Sequence, residues 1–321
     1  MMPFPPASEV ELGYYELSTH LIALEVMHRG YKPRWLRRAA FVVDIDGRVL
    51  GWNMTRCTIT STIGAELTTR KDYTRKLLSE AGLTVASGGS FRPAEYGEAI
   101  RKAREIGWPV IVKPANAGKG RGVGVVASEE ELNAAWQSAA SGLHVVIERQ
   151  QSGDEARFLV IDGECMAVVG RRPAHVIGDG HSTVAELVAE KNRARAINPH
   201  LAGHRVPLTG DPDHVPAPRE RVTLDHRGGF STGADSIDLT DDVHPSYVDI
   251  ACRAERTFPQ LGIAGVDIIA EDFTQPATPH NHIIIEVNSR PAIGAHHFPW
   301  EGETRDVAAA IVDACVTRRV G

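Results

Sequence analysis

Apolar positions along the chain fall into two spacings, one helical and one alternating. Residues 20–29 repeat every three to four positions, and Gly30 closes them as a helix. Short apolar runs at 40–43 and 48–51 flank Asp46-Gly47, a hairpin signal. Thr69 and Asp72 mark a helix start, Tyr73, Leu77, Leu78 and Ala81 supply its apolar face, and Gly82 ends it. Lys71 and Arg75 are four apart and project from one side of that helix. A second helix, 94–106, stops at Gly107. A strand, a glycine-rich loop and another strand then run through 109–126. Ser128 with Glu131 caps a helix to about 140, and 145–148 reads as a short buried strand. Residues 155–161 and 164–170 flank Asp162-Gly163, a second hairpin, and Thr183 with Glu186 opens the next helix. Residues 198–220, rich in Pro, His, Gly and Asp, read as an irregular loop long enough to suggest function. A helix at 246–258, strands at 263–270 and 282–287, and a helix capped by Thr304 complete the pattern.

Composition narrows the picture. A chain of 321 residues predicts about two domains, at roughly 150 residues each. With 42% hydrophobic and 24% charged residues it is an ordinary globular composition, not disorder or coiled coil. A net charge of −6 disfavours nucleic acid, whose non-specific binding needs cations. Cys57, Cys165, Cys252 and Cys315 form no CxxC pair, so isolated reduced thiols are expected. No stretch approaches the ~18 apolar residues of a membrane span, and the start lacks the basic and apolar regions of a secretory signal. The expectation is a soluble cytoplasmic protein with no membrane partner.

Three clusters carry candidate chemistry. Gly118, Gly120, Gly122 and Gly124 let backbone N–H groups approach an anion, and Lys119 and Arg121 add charge. The loop leads into a strand, so it is neither a Walker loop nor a dinucleotide fingerprint; a phosphate-covering flap and a plain hairpin turn both fit. Lys113 sits inside the apolar strand just before it, placed to reach a phosphate or to protect a sheet edge. Asp267 lies within one apolar strand, and Glu286 and Asn288, two apart and so on one face, lie within another. Together they offer the all-oxygen donor set that Mg²⁺ prefers; pairing with Arg290 or another base is the alternative. Arg157, Arg171 and Arg172 suit bidentate phosphate contacts.

Seven stretches in order, among them TTRKDYTRKLLSEAGLTV, GWPVIVKPANAGKGRGVGV, VVIERQQSGDEARFLVIDGE, GIAGVDIIAED and IIIEVNSRPAIGAHHFPWEGETRDVA, resemble the ATP-grasp enzymes. The likeness runs from 68 to about 310 and extends in particular to the ATP-grasp modules of cyanophycin synthetase and bifunctional glutathione synthetase. It implies an α+β class, the ATP-grasp fold, with two α+β lobes clasping ATP. The expected division is a small N-terminal α/β unit over 1–66 and an ATP-grasp domain over 67–321, with 83–147 as the lobe bearing the glycine loop.

The resemblance also implies roles. Lys71 and Lys113 match lysines that hold phosphate and nucleotide; Asn116, Gly118, Lys119, Gly120 and Gly122 belong to the matching flap. Glu148 matches the hinge residue facing the adenine amino group, Glu155 the ribose contact, and Arg171 or Arg172 a phosphate-contacting arginine. Asp267, Glu286 and Asn288 match the metal ligands, and Arg290 opens the stretch that shapes the substrate pocket. The cofactors implied are ATP and Mg²⁺, or Mn²⁺ in its place. The implied activity is amide formation through an acyl phosphate, releasing ADP, with amino acids or short peptides as partners and glutamate as one acyl donor. No Mur-ligase-like domain and no glutamate–cysteine ligase half accompany the module, so a stand-alone ligase is expected. A kinase with a non-amino-acid acceptor, or a catalytically silent nucleotide-binding regulator, are the alternatives. A homodimer is the base-rate expectation for a soluble enzyme.

Overall fold

The protein is represented by a computed structural model, which describes residues 16–115, 124–140 and 143–318. Helix α1 (Leu17–His28) precedes an antiparallel meander of β1 (Arg34–Arg37), β2 (Ala40–Ile45), β3 (Arg48–Asn53) and β4 (Arg56–Cys57). The β2–β3 turn is Asp46-Gly47, both with positive φ (52° and 81°), as a two-residue hairpin loop of the tighter-twisted kind requires. Helices α2 (Thr62–Thr69) and α3 (Lys71–Glu80) follow, separated by Arg70 alone. Thr69 therefore ends one helix rather than capping the next: its hydroxyl donates to the Glu66 carbonyl inside α2. Tyr73 is exposed on α3, and Thr74 and Leu78 are its buried positions.

Strand β5 (Gly88–Phe91), helix α4 (Tyr96–Ile106), β6 (Val110–Pro114), β7 (Gly124–Val126), α5 (Glu129–Ala139) and β8 (Val145–Arg149) build a lobe around the sheet β5-β8-β6-β7. Its core is its own: Ala99, Ala103 and Ile106 of α4 and Leu132 and Trp136 of α5 pack on Val110, Val112, Val145 and Ile147.

The larger body continues with β9 (Asp154–Ile161), β10 (Glu164–Arg172), β11 (His175–Ile177), α6 (Val184–Ala196), β12 (Arg221–Thr223), β13 (Asp235–Asp238), α7 (Pro245–Arg256), β14 (Ile263–Ala270), β15 (His282–Asn288), α8 (Gly294–His297) and α9 (Val307–Thr317). Its central sheet has the order β13-β10-β9-β14-β15. The β9–β10 turn, Asp162-Gly163, again has two positive φ angles. Residues 198–220 contain no helix or strand, as expected of them. They are nevertheless tied down: Asn192 of α6 exchanges two hydrogen bonds with the Val206 backbone (3.0 and 2.8 Å), and Arg195 Nε donates to the His204 carbonyl. Buried Asp235 in turn accepts from Lys191 (2.6 Å) and Arg195 (2.5 Å).

Strand alternation sorts the central sheet. Ala156, Phe158, Val160, Ala264, Val266 and Ile268 face a core made with α7. On the other face Leu159, Ile161 and Ile263 pack against α1 and α9, joining the N-terminal unit to the body in one core. Two cysteines read as isolated meet there, with Cys57 Sγ 3.0 Å from Cys315 Sγ. Further along, that face carries Glu155, Arg157, Arg171, Asp267 and Glu286.

Two local features test helix starts. The Thr183–Glu186 capping box that opens α6 is complete, each side chain accepting from the other's backbone N–H. Thr183→Ala is expected to lower stability by about 1 kcal/mol, read as the shift in a denaturation midpoint. The last helix starts later than expected: Asp306, not Thr304, is its cap, accepting from the Ala309 N–H at 3.1 Å.

Candidate active site

The charged part of the central sheet is a cross-strand ladder. Arg157 on β9 lies opposite Asp267 on β14, which lies opposite Glu286 on β15. Both Asp267 oxygens accept from Arg157, at 2.7 and 2.6 Å. Arg171 on β10 lies opposite Glu155 and pairs with it, and its other nitrogen comes within 3.7 Å of Asp267. Gly265, opposite Asn288, is bare for a reason: a Cβ there would lie 2.7 Å from Pro291 and 3.3 Å from the Arg157 side chain. Asn288 Nδ2 approaches Asp267 at 3.4 Å, which leaves its carbonyl oxygen directed elsewhere. Glu286 has no hydrogen bond or ion pair among the described residues, although it lines the cleft.

Across the cleft, Lys113 on β6 pairs with Glu148 on β8, and Arg75 of α3 reaches the other Glu148 oxygen at 3.6 Å. Arg75–Glu148 thus ties the body to the smaller lobe. Lys71 sits one helical turn before Arg75, and the two line one cleft with Thr68, Glu148, Ile285 and Glu286.

Burial and charge compete here. Burial lowers the Lys71 pKa, against the attraction of Glu286, Glu148 and Asp267. Burial also opposes ionisation of Asp267, which is 1% exposed, but Arg157 and Arg171 outweigh it and hold the carboxyl below its usual range. Burial likewise works against the Arg157 charge, and Asp267 reverses it, raising that pKa. Glu155 goes the other way: burial raises it despite Arg171.

The expected site residues divide clearly. Lys71, Glu148 and Glu286 line the cleft, and Lys113, Glu155, Arg171, Asp267 and Asn288 belong to the charged cluster that adjoins it. Arg172 does not: alternation turns it away from Arg171, and it binds Glu301 at 2.7 and 2.8 Å. Arg290 is exposed beyond the end of β15. Asn116, Gly118, Lys119, Gly120 and Gly122 lie outside the described residues. Asp267 takes the ion-pair alternative, but its partner is Arg157 rather than Arg290. Among the described residues no group of three or more His, Cys, Asp or Glu is placed to hold a metal; the expected set has two carboxylates and an amide.

A family profile, "Carbamoyl-phosphate synthase L chain, ATP binding domain", matches residues 70–151. Cyanophycin synthetase of a Nostoc species is 32% identical over 92% of this chain and 34% of its own length. The glutathione biosynthesis bifunctional protein of Clostridium perfringens is 31% identical over 94% of this chain and 41% of its own. The bifunctional glutathione synthetase of Pasteurella multocida superposes with a TM-score of 0.71 at 28% identity, over 94% of this chain and 44% of that one. The chain has the ATP-grasp fold. It spans about a third to two-fifths of the length of the curated relatives it matches. Among the described residues no helix of this ATP-grasp chain is long and apolar enough to cross a membrane.

Proposed function

We propose that the chain is an ATP-dependent carboxylate–amine ligase that forms an amide bond between amino acids or small peptides. The observation that carries this reading is the meeting of Lys71 and Lys113, from the two lobes, with Glu148, Asp267 and Glu286 beside one cleft of an ATP-grasp fold. A carboxylate of one substrate attacks the γ-phosphorus of ATP, giving an acyl phosphate and ADP. An amine then attacks the acyl carbon and phosphate leaves.

Lys71, Lys113 and Arg171 neutralise and hold the phosphates, since this chemistry depends on positioning and charge. Glu148 keeps lone pairs free beside its two cationic partners and accepts from the adenine amino group; Glu155 accepts from the ribose hydroxyls.

The donor set fits Mg²⁺. Among the described residues Glu286 has no hydrogen bond or ion pair and the Asn288 carbonyl oxygen has no donor, while Arg157 and the Asn288 amide together leave about one Asp267 acceptor site open. Glu286, Asn288 and Asp267 would hold the ion, which when bound neutralises phosphate charge in the transition state. Such ATP-consuming synthesis belongs in the cytoplasm.

ADP release with pooled amino acids tests the reading. Turnover is expected only when an acid and an amine are both present, with an amide product by mass spectrometry. Turnover with the acid alone, leaving a phosphorylated product, would establish a kinase instead. ATP binding without turnover in any pool would establish a silent regulator.

A further inference from the structure

The N-terminal unit reaches the segment after β15 through Thr55 and Arg56. The β3–β4 turn passes through Met54, at φ +54°, and sets Thr55 and Arg56 against the segment that follows β15. Thr55 Oγ1 donates to the Pro291 carbonyl at 2.7 Å, and Arg56 Nη2 donates to Ser289 Oγ at 2.7 Å. Thr68 of α2 donates to the same Ser289 oxygen at 3.0 Å. Arg56 is therefore fixed beside Arg290, the next residue along, two positions past Asn288.

Neither guanidinium has an acidic partner among the described residues, and Arg56 Nε is buried with no partner. Five buried or partly buried arginines of the central body do have acidic partners: Arg157 with Asp267, Arg171 with Glu155, Arg172 with Glu301, Arg195 with Asp235, Arg305 with Asp238. Burial lowers the Arg56 pKa, and the like charge of Arg290 lowers it further. A half-buried guanidinium fixed on Ser289, with an exposed one of like charge beside it, offers an oxyanion two cations from two segments of the chain.

We propose that Arg56 and Arg290 together bind a carboxylate of the acid substrate, so that the N-terminal unit forms part of the substrate site. The identity of the anion as substrate rests on the ligase reading; the existence of the anion site does not. The nucleotide phosphates are the other source of oxyanions. The residues lining the cleft end at Glu286 on this strand, and Ser289 and Arg290 lie beyond it, which favours the carboxylate.

Melting of the full chain tests this, using L-glutamate, glutarate and malonate as probes, with sodium chloride at matched ionic strength and inorganic phosphate as separate arms. The wild type is expected to gain stability from a dicarboxylate beyond the chloride control. Arg56→Gln is expected to lose that gain, weakening apparent carboxylate affinity about tenfold or more, while its ATP affinity stays unchanged. Its midpoint in chloride should equal or exceed the wild type's, because a repulsion has been removed. Arg290→Gln, at an exposed position, supplies the same test should Arg56→Gln fold poorly. No gain from any of the three probes, or an equal gain in both variants, would overturn the site. A phosphate-selective gain with weakened ATP binding in Arg56→Gln would assign the pair to the nucleotide and overturn the carboxylate reading. An intact carboxylate response in a protein that never releases ADP would sink the ligase reading alone.

Discussion

Glutamine at position 286 is expected to cut ADP formation by about 10²–10³-fold at saturating Mg²⁺ and leave the melting midpoint close to that of the wild type. The two halves of this expectation have separate causes. Glu286 makes no hydrogen bond or ion pair among the described residues, so amidation removes no structural partner. Its charge is the strongest attraction felt by Lys71 and one of those felt by Arg157, so the variant keeps its shape but loses the negative charge that would hold a cation. ADP release followed across a Mg²⁺ titration, beside a thermal melt, checks both. Unchanged Mg²⁺-dependent turnover would remove Glu286 from the metal set. A large drop in the midpoint would instead make it a structural residue.

That residue was legible from the chain because strand alternation is a local rule. Glu286 and Asn288 are two apart, so they share a face whatever else the strand touches. The two hairpins were legible for a similar reason: Asp-Gly tolerates two positive φ angles, and both turns have them. Helix starts were less so, since more than one residue can serve as a cap and packing chooses between them. At α9 the His297 ring accepts from the Ala308 N–H (3.1 Å), which helps set the start two residues past Thr304. At α2, Thr69 is already committed to the Glu66 carbonyl. Partners distant in sequence were not legible at all. The Arg157–Asp267 pair depends on the β9–β14 register, and the contact of Cys57 with Cys315 on the packing of α9 over the first sheet. The same limit explains the choice between Arg171 and Arg172, which needs the face of β10 to be known.

Alanine at position 267 should give the opposite pattern from Glu286→Gln: a loss of about 3–5 kcal/mol of stability together with the loss of activity. The substitution leaves the buried Arg157 guanidinium without its bidentate partner and Arg171 without a second anion. An uncompensated buried cation is costly because water cannot reach it. The pH dependence follows from the same pair. Asp267 is held below its usual range, so its contribution is fully present above the unfolded carboxylate value of about 3.9 and is lost as pH falls through the lower folded value. Glu155, raised mainly by burial, runs the other way: its contribution is present below the unfolded value and lost as pH rises through the folded one. Because Asp267 also helps raise Glu155, the gap is read with Glu155→Gln in both backgrounds, where the effect of Asp267→Ala should be flat from about pH 5 upward and narrow only under stronger acid. Chemical denaturation at several pH values measures it. A gap that closes between pH 5 and 7 would mean that Asp267 is not the ionised partner of Arg157, and with that the charge balance of the whole ladder would have to be redrawn.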